Sequence, residues 1–185
     1  MVRQAHHERH LTHLFSFFVV PMAIGSENLS PQIRAFALLK ERSYNEAKVG
    51  SVKVIRSFDG KTPRVAESCF ISEAAYIVGD VEIGEHSNVW PGAVIRADFG
   101  SIKIGSYVDI EDNCMLHAGT DMEIGDKALL GHGAVVHSAK VGDSVLIGMN
   151  ATTLPNSEIG DFCIIAAGSV VTEGMKIPPG SLAAG

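Results

Sequence analysis

The 185-residue sequence predicts an all-β solenoid, a parallel β-helix of triangular cross-section, and three observations carry that prediction. From Val65 onward one register repeats every six positions: Val65, Ile71, Ile77, Ile83, Val89 and Ile95, then Ile104, Ile110 and Leu116, then Ile124, Leu130 and Val136. It continues as Val141, Ile147, Thr153, Ile159, Ile165, Val171 and Ile177. A period of six fits neither a helix nor one alternating strand, but it suits a chain that turns a corner after each short strand. Three such strands complete a coil, so residues three hexads apart stack in parallel, about 4.8 Å from their neighbours.

Second, a glycine and an acid recur after the register position, in Ile83-Gly84-Glu85, Ile124-Gly125-Asp126, Val141-Gly142-Asp143 and Ile159-Gly160-Asp161, as tight corners require. Third, the residue four places after it is usually small, as at Ala75, Ser87, Ala93, Ala128, Ala134, Ala151, Ser157 and Ser169. Cys69, Cys114 and Cys163 share that slot and are expected to be small buried apolar groups. Their odd number and their spacing exclude a disulfide framework and a zinc ribbon.

Taken in order, residues 1–25 form a leader or tail. They hold His6, His7, His10 and His13 near Arg3 and Arg9, then an apolar run, Leu14 to Ile24, too short for a membrane helix. The run is read as part of a solvated leader in a cytoplasmic protein, with a signal peptide ending near Ala23-Ile24-Gly25 as the alternative. Residues 26–50 are a short helix and linker. Ser30-Pro31 is an N-cap followed by proline at the first helical position, and Ile33, Phe36, Ala37 and Lys40 continue a helical stripe, so an accessory α-helix is expected from about 31 to 47. It should pack on a prism face or cap an open end. Residues 51–185 are the β-helix domain, entered by a strand over Val52 to Phe58 and a turn at Asp59-Gly60. The net charge of −6 with no basic stripe excludes nucleic acid as a partner, and no segment reads as a membrane span.

The register breaks in three places. Ile95 to Ile104 is three residues too long, Leu116 to Ile124 two too long, and Val136 to Val141 one short. Such departures from a stacking repeat point to functional loops, and they flank the polar residues of interest. Arg96, His117 and His137 each follow a register residue of successive coils, so they form a column on one edge, with His117 and His137 near enough to share a metal. His132 belongs to the preceding hexad, on a second edge above Glu111 and Asp112, as far as about 16 Å from His137 along extended chain. A zinc-type site needs three protein ligands and an open position. A three-fold homotrimer that faces edge one of each subunit against edge two of the next supplies them, His117 and His137 from one chain and His132 from its neighbour. Zinc, Fe(II) and Co(II) all suit three imidazoles. Taken singly, a histidine in such a prism is more often a corner or surface residue than a ligand, but three in this arrangement beside a broken register point to a metal. Arg96 with Asp98, next to the column, reads as an interface clamp rather than an ordinary exposed pair.

Four stretches, Asn88-Val-Trp-Pro-Gly-Ala-Val-Ile-Arg-Ala-Asp98, Ile110-Glu-Asp-Asn-Cys-Met-Leu-His117, Gly131-His-Gly-Ala-Val-Val-His137 and Ile147-Gly-Met-Asn150, resemble the γ-class carbonic anhydrases, which are hexapeptide-repeat proteins. The resemblance runs from about residue 52 to the end. It implies a left-handed coil, a trimer with a metal at each interface, and reversible hydration of CO₂ to bicarbonate by a metal-bound hydroxide. It also implies that His117, His132 and His137 are the ligands. Arg96 and Asp98 match a pair that bridges subunits and places bicarbonate, and Asp112 matches an acid that orients the site. Glu111 stands where the family's active enzyme has glutamine, Phe99 where it has glutamate, and the acidic loop is reduced to Ala118-Gly-Thr-Asp-Met122, leaving Asp121 and Glu123 as nearby acids. That enzyme's C-terminal helix has no counterpart before Gly185. Other readings of the scaffold are an acyltransferase with one histidine as general base, a non-catalytic metal-stabilised trimer or scaffold, and a thioester hydrolase.

Overall fold

The computed structural model describes residues 18–21 and 54–185. The six-residue register closes into a three-sided parallel β-helix whose core is the stacked register residues themselves. One face stacks Ile55, Ile77, Ile95, Leu116, Val136, Thr153 and Val171. The second stacks Val65, Ile83, Ile104, Ile124, Val141, Ile159 and Ile177. The third stacks Ile71, Val89, Ile110, Leu130, Ile147, Ile165 and Ala183. Seven coils result, and from Ile77 onward each of these side chains is buried. The cysteines fill the small slots as expected: Cys114 and Cys163 are buried, Cys69 partly so, and all three are free. Desolvation, only partly offset by backbone hydrogen bonds, pushes the Cys114 thiol up to about 11.

Corners follow from backbone conformation. From the second face to the third the chain turns through left-handed residues at His86, Tyr107, Lys127, Ser144 and Phe162, and from the third to the first through Gly92, Asn113, Gly133, Asn150 and Gly168. The corner between the first and second faces differs, and here the register breaks. In the lower coils the chain continues extended past the edge, keeping a small inward residue two places after the register: Gly79, Ala97, Ala118 and Ser138 are all buried. Tyr76–Ile83 and Val94–Ile104 are single strands that bend round it, with a register shift between Gly79 and Val81. The three extra residues before Ile104 are thus a bulge within a strand and not a loop, because the strand pairs with the coil below on both sides of them, Ala97 with Gly79 and Ile102 with Val81. In the upper coils the same corner becomes a tight turn, left-handed at Asn156 and Gly174.

The outward positions distinguish the faces. The second presents Arg64, Glu82, Lys103, Glu123, Lys140, Glu158 and Lys176, one per coil and alternating in sign, with Arg64–Glu82 at 2.8 Å and Lys176–Glu158 at 2.9 Å. The first presents Tyr76, Val94, Met115, Val135, Thr152 and Val170, of which Met115 and Val135 are each 38% exposed.

The helix expected over about 31–47 lies outside the described residues, as does most of the 1–25 segment. Within the latter, Phe18–Pro21 pairs antiparallel with Ser181–Ala184 and so covers the open edge of the third face, a role for the apolar run that its composition did not reveal. Of the entry strand, Ile55–Arg56 is strand, and Asp59-Gly60 is the expected turn, closed by Phe58 and Lys61. Among the described residues no helix is long and apolar enough to cross a membrane.

Candidate metal centre

Pairing of Ile95 on Leu116 and of Leu116 on Val136 brings Arg96, His117 and His137 into one column at the edge between the first and second faces. The two histidine rings meet edge to face at 4.9 Å, and His117 Nδ1 stands 3.1 Å from His137 Nε2. On its other side His117 Nε2 is 2.9 Å from Asp98 Oδ1, and Asp98 also accepts from Arg96 Nη1. Asp98 reaches both because the bulge carries it past the corner, one coil below His117. Partial desolvation raises its pKa, but hydrogen bonds from His117, its own backbone and Arg96 outweigh this and hold the carboxyl below the usual range. Phe99, 77% exposed, lies beside His117 with its ring edge-on at 6.3 Å. Above them Gly119 leaves space for His137, since a Cβ there would stand 3.2 Å from Cε1 of the imidazole.

The second edge, between the third and first faces, carries His132. Its Nδ1 is 3.0 Å from Asp112 Oδ2, and Glu111 Oε2 accepts its backbone N–H at 2.9 Å while lying 3.4 Å from Nε2. The left-handed corners at Asn113, Gly133 and Asn150 aim this segment outward, and the ring is half exposed. The structure therefore brings His117 and His137 together with Asp98 and Arg96, and His132 together with Glu111 and Asp112. It does not bring the two groups to one point: among the described residues no three His, Cys, Asp or Glu side chains of one chain are poised for a common ion. Asp121 accepts from the backbone and hydroxyl of Ser101 at 2.9 and 2.8 Å, which lower its pKa, so it braces the corner. Glu123 belongs to the charged face.

The Asp98–His117 bond carries no signature in the six-residue spacing, because Asp98 lies in the bulge that leaves it. That spacing also passes over Thr153, whose polar side chain in a register of aliphatic residues was the available signal.

Two hexapeptide family models match the chain: bacterial transferase hexapeptide (six repeats) over residues 62–97 and 138–173, and the hexapeptide repeat of succinyl-transferase over 122–152. A Methanocaldococcus jannaschii protein named "Probable carbonic anhydrase" is 47% identical over 123 residues, covering 65% of this chain and 77% of its own. The chain belongs to the γ-carbonic anhydrase family of hexapeptide-repeat proteins. Within it, mitochondrial gamma carbonic anhydrase 2 of Arabidopsis thaliana is 33% identical over 157 residues, 80% of this chain but 56% of the plant protein, so the chain spans about half the length of such relatives. The chain is also similar to the carnitine operon protein CaiE of Escherichia coli, 33% identical over 122 residues, 65% of this chain and 62% of CaiE. Among solved structures, a hexapeptide transferase family protein from Anaplasma phagocytophilum superposes with a TM-score of 0.70 at 32% identity, covering 73% of this chain and 81% of that one.

Proposed function

We propose that the protein is a metal-dependent, carbonic anhydrase-like enzyme that interconverts CO₂ and bicarbonate at the interfaces of a homotrimer, with His117 and His137 of one chain and His132 of the next as ligands. One observation carries the reading: the two histidine groups bound opposite edges of a single face whose outward side chains, Tyr76, Val94, Met115 and Val135, are apolar. A face of this kind favours burial. Turning three copies of it toward a common axis sets the trailing edge of each against the leading edge of the next. Relatives named carbonic anhydrase, at 33–47% identity, support the same reaction.

The donor set fits a divalent ion of the zinc type. His117 Nδ1 and His137 Nε2 face each other at 3.1 Å, and two ligands at tetrahedral angles on one zinc stand about 3.3 Å apart. Bound there, such an ion supplies Lewis acidity that brings the pKa of water toward neutrality. The chain's own residues do the rest. Asp98 accepts a hydrogen bond from His117 Nε2–H and Asp112 one from His132 Nδ1–H, which fixes both tautomers and leaves the remaining nitrogen of each ring with a free lone pair for an ion. Glu111 anchors the His132 backbone and leaves a proton acceptor 3.4 Å from Nε2. Arg96, tied to Asp98, offers guanidinium donors to an oxyanion on the same column.

The Asp98–His117 contact favours a second reading, acyl transfer with His117 as a carboxylate-oriented general base. One set of measurements separates them: metal per chain after anaerobic purification, mass in solution, and stopped-flow CO₂ hydration beside acetyl transfer from acetyl-CoA. The proposal expects about one ion per chain in a trimer, and hydration lost in both His117→Ala and His132→Ala. Acetyl transfer lost in His117→Ala but kept in His132→Ala selects the second reading.

A further inference from the structure

Inward of His137 and in the coil above it, three hydroxyls are shut away from solvent. Thr153 is fully buried, as is Ser157, and Ser138 is 1% exposed. Ser138 Oγ donates to Thr153 Oγ1 at 2.7 Å and lies 2.9 Å from Ser157 Oγ, which reaches the Leu154 carbonyl at 2.7 Å. Other buried hydroxyls of the core, Ser87, Ser169 and Ser181, bond to backbone, whereas these three are linked to one another, and a cluster of buried polar groups needs a reason.

Their position supplies it. Two of them are polar where their columns call for something else or something smaller: Thr153 continues a stack of isoleucine, leucine and valine, and Ser138 continues the stack of Gly79, Ala97 and Ala118, while Ser157 fills an ordinary small slot within reach of both. They sit at the level where the extended corner of the lower coils gives way to the tight turn at Leu154-Pro155-Asn156. His137 belongs to the last extended corner, the one that is a residue short, and the chain above it has already turned away. Ordinary coil-on-coil pairing gives the His137 N–H one acceptor, the Thr153 carbonyl at 3.0 Å; Thr153 Oγ1 gives it a second at 3.2 Å. Ser138 then ties the next residue to the same hydroxyl.

We propose that the Ser157–Ser138–Thr153 hydroxyl chain is a positioning device for His137: it fixes the backbone where the corner changes form and so holds the imidazole against His117. The inference rests on the metal reading above, in which these two rings share an ion, and Thr153 is its central positioning residue.

The test compares Thr153→Val, which keeps shape and loses the hydroxyl, with Thr153→Ser, which keeps the hydroxyl and loses the methyl. The full chain is stripped of metal, Co(II) affinity is measured by chelator competition, and cross-peaks between the His117 and His137 ring protons are recorded in the metal-free protein. Thr153→Val weakens Co(II) binding by about tenfold and loses the cross-peaks, while Thr153→Ser keeps both, with far-UV circular dichroism unchanged in each. Equal affinity in Thr153→Val and wild type, or Thr153→Ser falling as far as Thr153→Val, overturns the proposal, since a packing role would make the serine variant the worse one. Should wild type take up no Co(II), the metal reading fails, and the ring cross-peaks still decide the positioning role. Ser138→Ala, which removes the donor to Thr153, repeats the test if Thr153→Val does not fold.

Discussion

On the metal-bridged trimer proposed above, two inactive variants should restore each other when they share a trimer. His117→Ala removes a ligand from the edge that follows the apolar face, and His132→Ala removes one from the edge that precedes it. Each homotrimer then lacks a ligand at every interface. In a trimer that carries both chains, one of the three junctions sets the intact His117–His137 pair of the His132→Ala chain against the intact His132 of the His117→Ala chain. Random assembly from equal amounts therefore rebuilds about a quarter of all sites, and trimers selected for both chains hold about one working site in three. The assay is co-expression with two different tags, tandem capture, then metal per chain and CO₂ hydration per chain. A captured mixed trimer with no more metal than either parent refutes the reasoning, because ligands from one chain alone, or from chains that do not meet edge to edge, leave nothing to be restored. Hydration undiminished in His132→Ala by itself would do so as well.

Three further outcomes concern the scaffold. Burial raises the Cys114 pKa to about 11, so its thiol stays protonated and inert well above neutrality; a thiol-disulfide reagent at pH 8 should titrate no more than one cysteine, the half-buried Cys69, in native protein and all three in denaturant. Glu123→Lys would line up three cations between Lys103 and Lys140 and should lower stability by about 1 kcal/mol in denaturant titrations, an effect that shrinks in high salt. Gly79 has φ +89° and a Cβ there would stand 1.9 Å from the Ala97 carbonyl oxygen, so Gly79→Ala should cost about 2–5 kcal/mol and show as a lowered melting temperature. A melt superimposable on wild type would mean that the lower coils do not stack as described.

The fold was legible because a solenoid repeats one environment: a residue such as Ile110 reads its neighbours Val89 and Leu130 directly from spacing, without knowledge of distant contacts. The same spacing placed His117 on His137 and His132 over Asp112. It failed where the backbone leaves the repeat. The residues between Ile95 and Ile104 read as a loop, since extra length carries no mark of whether it bulges within a strand or departs from it, and so the reach of Asp98 to His117 was hidden. Residues Phe18–Pro21 gave no sign of their partner because an antiparallel addition to the last coil belongs to no hexad. The buried role of Thr153 was masked by its own column, in which threonine fits by volume and differs only in one polar atom.

The alternating charges on the second face bear on how the coils find their count. Every coil offers nearly the same aliphatic plug to its neighbour, so the interior alone tolerates docking one storey too high or too low. Such a slip would set Lys103 over Lys140 or Glu82 over Glu123, a like-charge contact at the slipped junction. The exterior thus carries a parity that the core lacks, and a slip of one storey is penalised by repulsion at the junction where it occurs.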